Sequence, residues 1–448
     1  MSRIGHFLVH IKSRTWLVVV AVVAALERLC LYFSYHPVSY NDTLAYRRLA
    51  GQVMQGWPAY DGTRLPGYPI FLAWLGPDER VYAAQLILGF LITLLFFYLG
   101  WRLTGRGWFA ALAAAAYTLN PQTLLVEADL LTETLTIFLF ALCLAGTAWL
   151  LYSASEPASW KAILAGMGIG LAAGLTIMVR PLFIFLPFLA ALALLLPWRA
   201  RWRIRWAAAL PVLAVSLALV GTWVNYIHAR SGTWGLDVMG GYHLMNHVGP
   251  FFQDAPDEYA AVRDAFLRYQ AAQLAKTGST GNAIWDAIPE LEQVSHLGFD
   301  DLSRLLSRIA FRLILQHPGL YLKNVALGWL NFWRVPVHWT PALPGRPVLG
   351  FLQRGIILIL RGCLFLCNLV FIAGTLALVS KRFRLRLRMK PFLWLSLGSI
   401  WAASLLQTLV EYGDNPRYSI PLQTLILLVV IYWGVSLLSR TEHENSLA

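Results

Sequence analysis

Long apolar runs recur through this chain and constrain its fold more than any other feature. A run of about 20 mostly apolar residues crosses the hydrocarbon of a bilayer, where no water meets the backbone and only a helix pairs its amides within one segment. Such runs lie at Trp16 to Phe33, Val81 to Leu103, Trp108 to Leu124, Thr134 to Tyr152, Ala162 to Val179, Leu182 to Leu196, Ala207 to Ile227, Ile356 to Val379, Phe392 to Leu409 and Ile420 to Leu438. They predict an all-α, polytopic membrane protein of about ten transmembrane helices, eleven to thirteen on a more generous count. With 58% hydrophobic and 13% charged residues in 448, the chain is too apolar to close around one soluble core.

The formal charge of +13 does not imply a nucleic-acid partner, because the basic residues sit in short clusters at the ends of apolar runs. Arg102 and Arg106 follow the second run, Arg199, Arg201, Arg203 and Arg205 the sixth, and KRFRLRLRMK from Lys381 to Lys390 the eighth. Positively charged loops stay in the cytoplasm, so these clusters place both termini there as well. The first run follows Arg3, Lys12 and Arg14 as a signal peptide would. It is long, contains Glu27 and Arg28 and lacks a small-residue cleavage site, and is read as a retained first helix. All four cysteines, Cys30, Cys143, Cys363 and Cys367, lie in apolar segments, which indicates neither a disulfide framework nor a zinc site.

The alternate loops then face outward. Residues 34–80 form a first external loop within an N-terminal module over 1–228. A second, much longer loop covers 229–354, and 355–448 carry the last helices. Between Leu302 and Val335, Arg304, Arg308, Arg312 and Lys323 alternate with Leu, Ile and Trp at helical spacing, as in helices lying in the outer interface.

The external side holds the residues capable of chemistry. Asp42 follows the first span by a few residues and so lies at the membrane surface, with Tyr46 and Ala50 at helical spacing behind it and a rigid turn at Pro66-Gly67-Tyr68-Pro69. A carboxylate there can be tuned to a general base by burial and a neighbouring cation, or it can cap the short helix it precedes. Glu127, Asp129 and Glu133 crowd the short loop before the fourth run. Glu127 and Asp129 are spaced to present oxygens to a divalent cation, Mg²⁺ or Mn²⁺, while Thr132 or Glu133 suits the start of a helix. Arg64, Arg180 and Arg417 stand apart from the anchor clusters, and three guanidiniums on the side that holds the carboxylates point to an anionic ligand. His243 and His247 share a helix face without an assured third metal ligand.

Taken in order, NDTLAY from Asn41, LPGYP from Leu65, NPQTLLVEADLLTETL from Asn120, GLTIMVRPLFIFLP from Gly174 and NPRYSIP from Asn415 resemble the GT-C membrane glycosyltransferases. The bacterial group related to protein O-mannosyltransferases and lipid A aminoarabinose transferases is the nearest in pattern. The resemblance covers most of the first half and the final span, whereas 229–350 matches only in being a large external loop with amphipathic helices. It implies a GT-C fold in the bacterial cytoplasmic membrane and inverting transfer of a sugar from a polyprenyl-phosphate donor to a lipid, glycan or protein acceptor at the outer face. Asp42 would be the catalytic carboxylate, Glu127 or Asp129 a second acidic site, and Arg417, Arg180 and Arg64 phosphate contacts, with Tyr46, Tyr68, Glu133 and Tyr418 lining the substrate pocket. One departure is that Asn41 precedes Asp42 where some relatives carry two adjacent acids. Two rivals remain: an O-antigen ligase or polymerase acting on pyrophosphate-linked glycans, and a transporter or flippase of lipid-linked sugar.

Overall fold

The computed structural model describes residues 11–153, 156–196, 201–278, 280–339 and 347–445. The first part of the chain forms α1 (Ser13–Ser34), α2 (Asn41–Gln55), α3 (Gly67–Leu75), α4 (Asp78–Thr104), α5 (Gly107–Thr118), α6 (Pro121–Val126), α7 (Glu133–Leu151), α8 (Ser159–Val179), α9 (Leu186–Leu195) and α10 (Trp202–Ser231). The middle segment contributes α11 (Gly240–Val248), α12 (Ala260–Thr277), α13 (Ala283–Ser295), α14 (Phe299–Gln316) and α15 (Pro318–Phe332). The last part forms α16 (Pro347–Ala377), α17 (Lys381–Arg386), α18 (Pro391–Val410) and α19 (Ile420–Asn445).

Among the described residues, eight helices are long and apolar enough to cross a membrane, and they coincide with eight of the ten expected runs. The other two runs are broken, and proline is the reason. The run from Trp108 divides into α5 and the six-residue α6, which Pro121 starts and Asn120 caps through its side chain. The run from Leu182 begins as a 3₁₀ turn after Pro181 and continues as the ten-residue α9.

The core of the bundle depends on close helix contacts. Gly166, Gly170 and Gly174 form a stripe along α8 that faces α10, where a Cβ on Gly166 would stand 2.2 Å from the Ala208 carbonyl and one on Gly170 2.6 Å from that of Val212. Without side chains at these positions the two backbones approach closely, the usual means by which helices associate in lipid, where burial of apolar surface gives no net drive. Within the apolar run of α1, Glu27 and Arg28 find partners inside the bundle: Arg28 donates to Glu127 Oε1 and to Thr118 Oγ1, both at 2.6 Å, and Thr118 donates to Glu27 at 2.6 Å.

The two ends of the bundle differ in kind. At one end the basic loops touch one another: Arg102 donates to the Trp149 carbonyl at 3.0 Å, Lys390 to the Leu103 carbonyl, and the Arg201 amide to Glu156 at 2.9 Å. At the other end α11 to α14 pack around a core of their own, with Tyr242, Phe252, Phe266, Leu291 and Leu306 buried in it. The amphipathic stretch expected from Leu302 is α14 and α15, and α14 turns its apolar face to this core.

Candidate active site

At the end of the bundle opposite the basic loops, the segment between α1 and α2 is fastened to the loop before α7. The Val38 amide donates to the Ala128 carbonyl and the Leu130 amide to that of Val38, each at 2.9 Å, the single β-bridge among the described residues. Thr43 tightens the junction, accepting the Tyr40 amide and donating to the Leu130 carbonyl, both at 2.9 Å. From below, Gln85 in α4 donates to the carbonyls of Glu127 and Asp129 at 3.0 and 2.8 Å and accepts the Tyr68 hydroxyl at 3.0 Å. These bonds hold the first turn of α2 over the mouth of α7.

Thr43 therefore does the capping, which leaves the Asp42 carboxylate free to face the cleft. Arg64 donates to its Oδ1 at 2.8 Å and Arg417 to its Oδ2 at 2.6 Å. The same Arg417 uses Nε to reach Glu133 at 2.6 Å, and Arg180 meets that oxygen at 3.3 Å. Five side chains from four separate parts of the sequence thus form one alternating chain: Arg64, Asp42, Arg417, Glu133, Arg180. Aromatic faces steady its ends, with Arg64 4.9 Å above the Tyr46 ring and Arg180 4.9 Å above that of Tyr418. Tyr46 in turn rests edge-on against Tyr68, which is fully buried and supports the cleft from beneath without lining it.

Burial pushes the Asp42 carboxyl up, but Arg64 and Arg417 outweigh it and hold its pKa below the ordinary value. Asp414, 3.9 Å from Arg417, goes the other way: burial raises it despite Arg417 and Arg180. Neighbouring carboxylates of one cleft are thus pushed apart in acidity, a common mark of functional sites.

The Glu127/Asp129 pair does not fit the expectation of a shared acidic or metal site. The loop turns their carboxylates to different partners: Glu127 points inward to Arg28, and Asp129 accepts the Tyr40 hydroxyl at 2.9 Å with His338 at 3.5 Å. Neither lines the cleft, and Glu133 is the acid that joins Asp42 through Arg417. Among the described residues no three or more His, Cys, Asp or Glu side chains are grouped so as to hold a metal ion. His243 pairs with Glu411 at 2.5 Å, while His247 is buried between the rings of Tyr321 and Tyr412, so the two histidines do not converge on a metal.

The cleft opens outward into a chamber of about 820 Å³ that sequence reasoning did not foresee. Its walls add Trp285 and Asp286 of α13, Asn282 just before that helix, and Glu411, and it shares Asp414 with the cleft. Asp414 directly precedes the NPRYSIP segment, three residues before Arg417, and was legible only as a neighbour. Trp285 and Asn282 carry no local signal, since they reach the site only through the folding of α13 against α11.

No family model matches the chain, and no curated protein does. Among solved structures, the chain is similar to the crystal structure of ArnT from Cupriavidus metallidurans in the apo state, at 15% identity and a TM-score of 0.38, over 95% of this chain and 78% of that one. Similarity at that level assigns no activity, and the chemistry has to come from the cleft.

Proposed function

We propose that the protein is an inverting glycosyltransferase of the GT-C type, moving a sugar from a polyprenyl-phosphate carrier to an acceptor hydroxyl at the extracytoplasmic face of a bacterial cytoplasmic membrane. The observation that carries this reading is the Asp42 carboxylate held between Arg64 and Arg417 at the outer mouth of the bundle. Three arginines converge on Asp42 and Glu133 where a lipid phosphate would come to rest, and guanidinium is the side chain best shaped to grip one. The basic clusters at the opposite end agree with both termini in the cytoplasm and the cleft outside.

In this mechanism the donor phosphate draws Arg417 and Arg64 towards itself. Asp42 loses the cations that depress its pKa and becomes the stronger base when substrate is bound. It takes the proton of the acceptor hydroxyl as that oxygen bonds to the anomeric carbon. The bond from that carbon to the phosphate oxygen breaks, and the electron pair leaves with the carrier phosphate, whose charge the arginines stabilise. Attack opposite the leaving group inverts the anomeric centre. Trp285 and the amide and acid groups of the chamber offer a stacking face and hydrogen bonds to a carbohydrate, on the donor, on the acceptor, or on both.

The test is transfer by the purified full-length protein in liposomes supplied with a polyprenyl-phosphate monosaccharide and an envelope acceptor fraction. Asp42→Asn is expected to fold and bind donor but to lose transfer by a factor of at least about 10². Full activity in that variant overturns the assignment of the base. Transfer from a pyrophosphate-linked oligosaccharide in place of the monosaccharide phosphate would instead make the protein a ligase or polymerase.

A further inference from the structure

Between the bundle and the helices that cover the chamber lies a buried polar contact that the transfer reaction does not use. α11 has two faces. Tyr242, Met245 and Val248 enter the core that α11 to α14 share, while His243, Asn246 and His247, at i, i+3 and i+4, find partners outside it. Two of these meet on one carboxylate. His243 Nδ1 lies 2.5 Å from Glu411 Oε2, and Asn246 donates to Glu411 Oε1 at 2.9 Å. Both oxygens of Glu411 are thus held by a single helix, and the side chain is only 8% exposed.

Glu411 directly follows α18 and begins the turn that carries Arg417. Its carbonyl accepts the Asn415 side-chain amide at 2.8 Å, the same amide donates to Gln407 Oε1 at 2.9 Å, and the Gly413 amide closes onto Asn415 Oδ1 at 3.1 Å. Asn415 is fully buried and opens the 3₁₀ turn Asn415–Ser419, in which Arg417 stands. Displacing Glu411 therefore shifts the base of Arg417, whose fork reaches Asp42 and Glu133 at 2.6 Å. A guanidinium that must meet its ligand in one orientation binds more weakly when its backbone is free to move, because the cost of ordering then falls on the binding step.

We propose that Glu411 and His243 are positioning residues for Arg417: their contact fastens the helices over the chamber to the turn that grips the ligand, and it makes ligand affinity depend on the charge of the imidazole. That the ligand is a phosphate rests on the reading of the cleft given above. The fastening does not. Burial works against a charged His243 ring, and Glu411 outweighs it, with Asp237 adding to the effect and Arg64 opposing it, so the ring keeps its proton above the ordinary histidine range. Asp42, Asp414 and Arg417 face the ring across the cleft, and Asp286 across the chamber. The ionic contact is thus complete below the folded pKa of His243 and weakens as pH rises through it, leaving a neutral hydrogen bond roughly half as strong.

Two measurements on the full-length protein in phosphatidylcholine nanodiscs test this. In the first, undecaprenyl monophosphate is titrated into wild type and into His243→Gln, which offers Glu411 a neutral donor in place of a charged one. At about pH 6 wild type is expected to bind about tenfold more tightly, and at about pH 9 the two should agree within about twofold. Titration of the lipid's own phosphate is common to both and cancels in the ratio. A ratio that does not change with pH overturns the proposal, since a loss of packing alone acts at every pH. In the second, amide hydrogen exchange without added lipid compares wild type with Glu411→Gln. Both α11 and the turn Asn415–Ser419 should exchange faster in the variant, and an unchanged turn overturns the proposal as well. If wild type binds no polyprenyl phosphate while both segments loosen together, the reading of the cleft fails alone. If wild type binds the lipid and the ratio is flat in pH, the positioning role fails alone.

Discussion

Asp42 is subject to two opposed effects, since burial favours its neutral form and two guanidiniums favour the ionised one. The cations win, so its pKa in the folded protein lies below that of the unfolded chain. A depressed carboxylate contributes stability that is fully present above the unfolded value of about 3.9 and is lost as pH falls through the folded one. Comparing unfolding of wild type and Asp42→Asn should therefore show a gap of about 1–3 kcal/mol at neutral pH that closes in strong acid. A gap independent of pH would mean that the ion pairs contribute nothing. Arg417 tests geometry rather than charge. It serves Glu133 with Nε and Asp42 with Nη1, a fork that lysine cannot reproduce. Arg417→Lys should weaken donor binding about tenfold, or roughly 1.4 kcal/mol, with Asp42→Asn as the control that keeps affinity. Asp42, Arg64, Arg180 and Arg417 were legible in the sequence because charged residues are rare at an apolar boundary and need a reason to be there. Glu133 was legible as a pocket residue or a helix start, but not as the acid joined to Asp42 through Arg417. Its spacing from Glu127 and Asp129 says nothing of the turn that sends those two elsewhere.

At the scale of elements, the contact of α8 with α10 depends on which face of a glycine-bearing helix is turned inward. Gly166→Ala drives a methyl against the Ala208 carbonyl, whereas Gly168, on the same helix, has nothing within 4 Å of its Cβ position. The first substitution should cost about 1–3 kcal/mol and the second almost nothing, measured as thermal unfolding in detergent. Equal effects would show that helix propensity, not close approach, governs the pair. The positions of the helices were readable from apolar runs because lipid imposes length and continuity. The breaks at Pro121 and Pro181 were visible as residues but not as consequences, since proline is tolerated within spanning helices when neighbours satisfy the freed groups.

For the whole molecule, sidedness is the prediction that matters. With the native thiols replaced, a cysteine at Thr63 or Asp286 should react with a membrane-impermeant maleimide added to intact spheroplasts. One at Arg203 or Arg386 should react only after lysis. The reverse pattern would put the cleft in the cytoplasm and remove the proposed donor. Hydropathy and the placement of Lys and Arg were enough to determine the membrane class, most of the spans and the end of the bundle where the reactive side chains collect. Those properties arise from transfer of each segment between water and lipid, which is local and nearly additive. The tertiary structure alone decided that Arg64, Asp42, Arg417, Glu133 and Arg180 meet, that Glu127 turns inward to Arg28, and that α13 supplies a wall of the chamber. Those contacts join residues up to 375 positions apart, and only the packing of helices brings such positions within reach of a hydrogen bond.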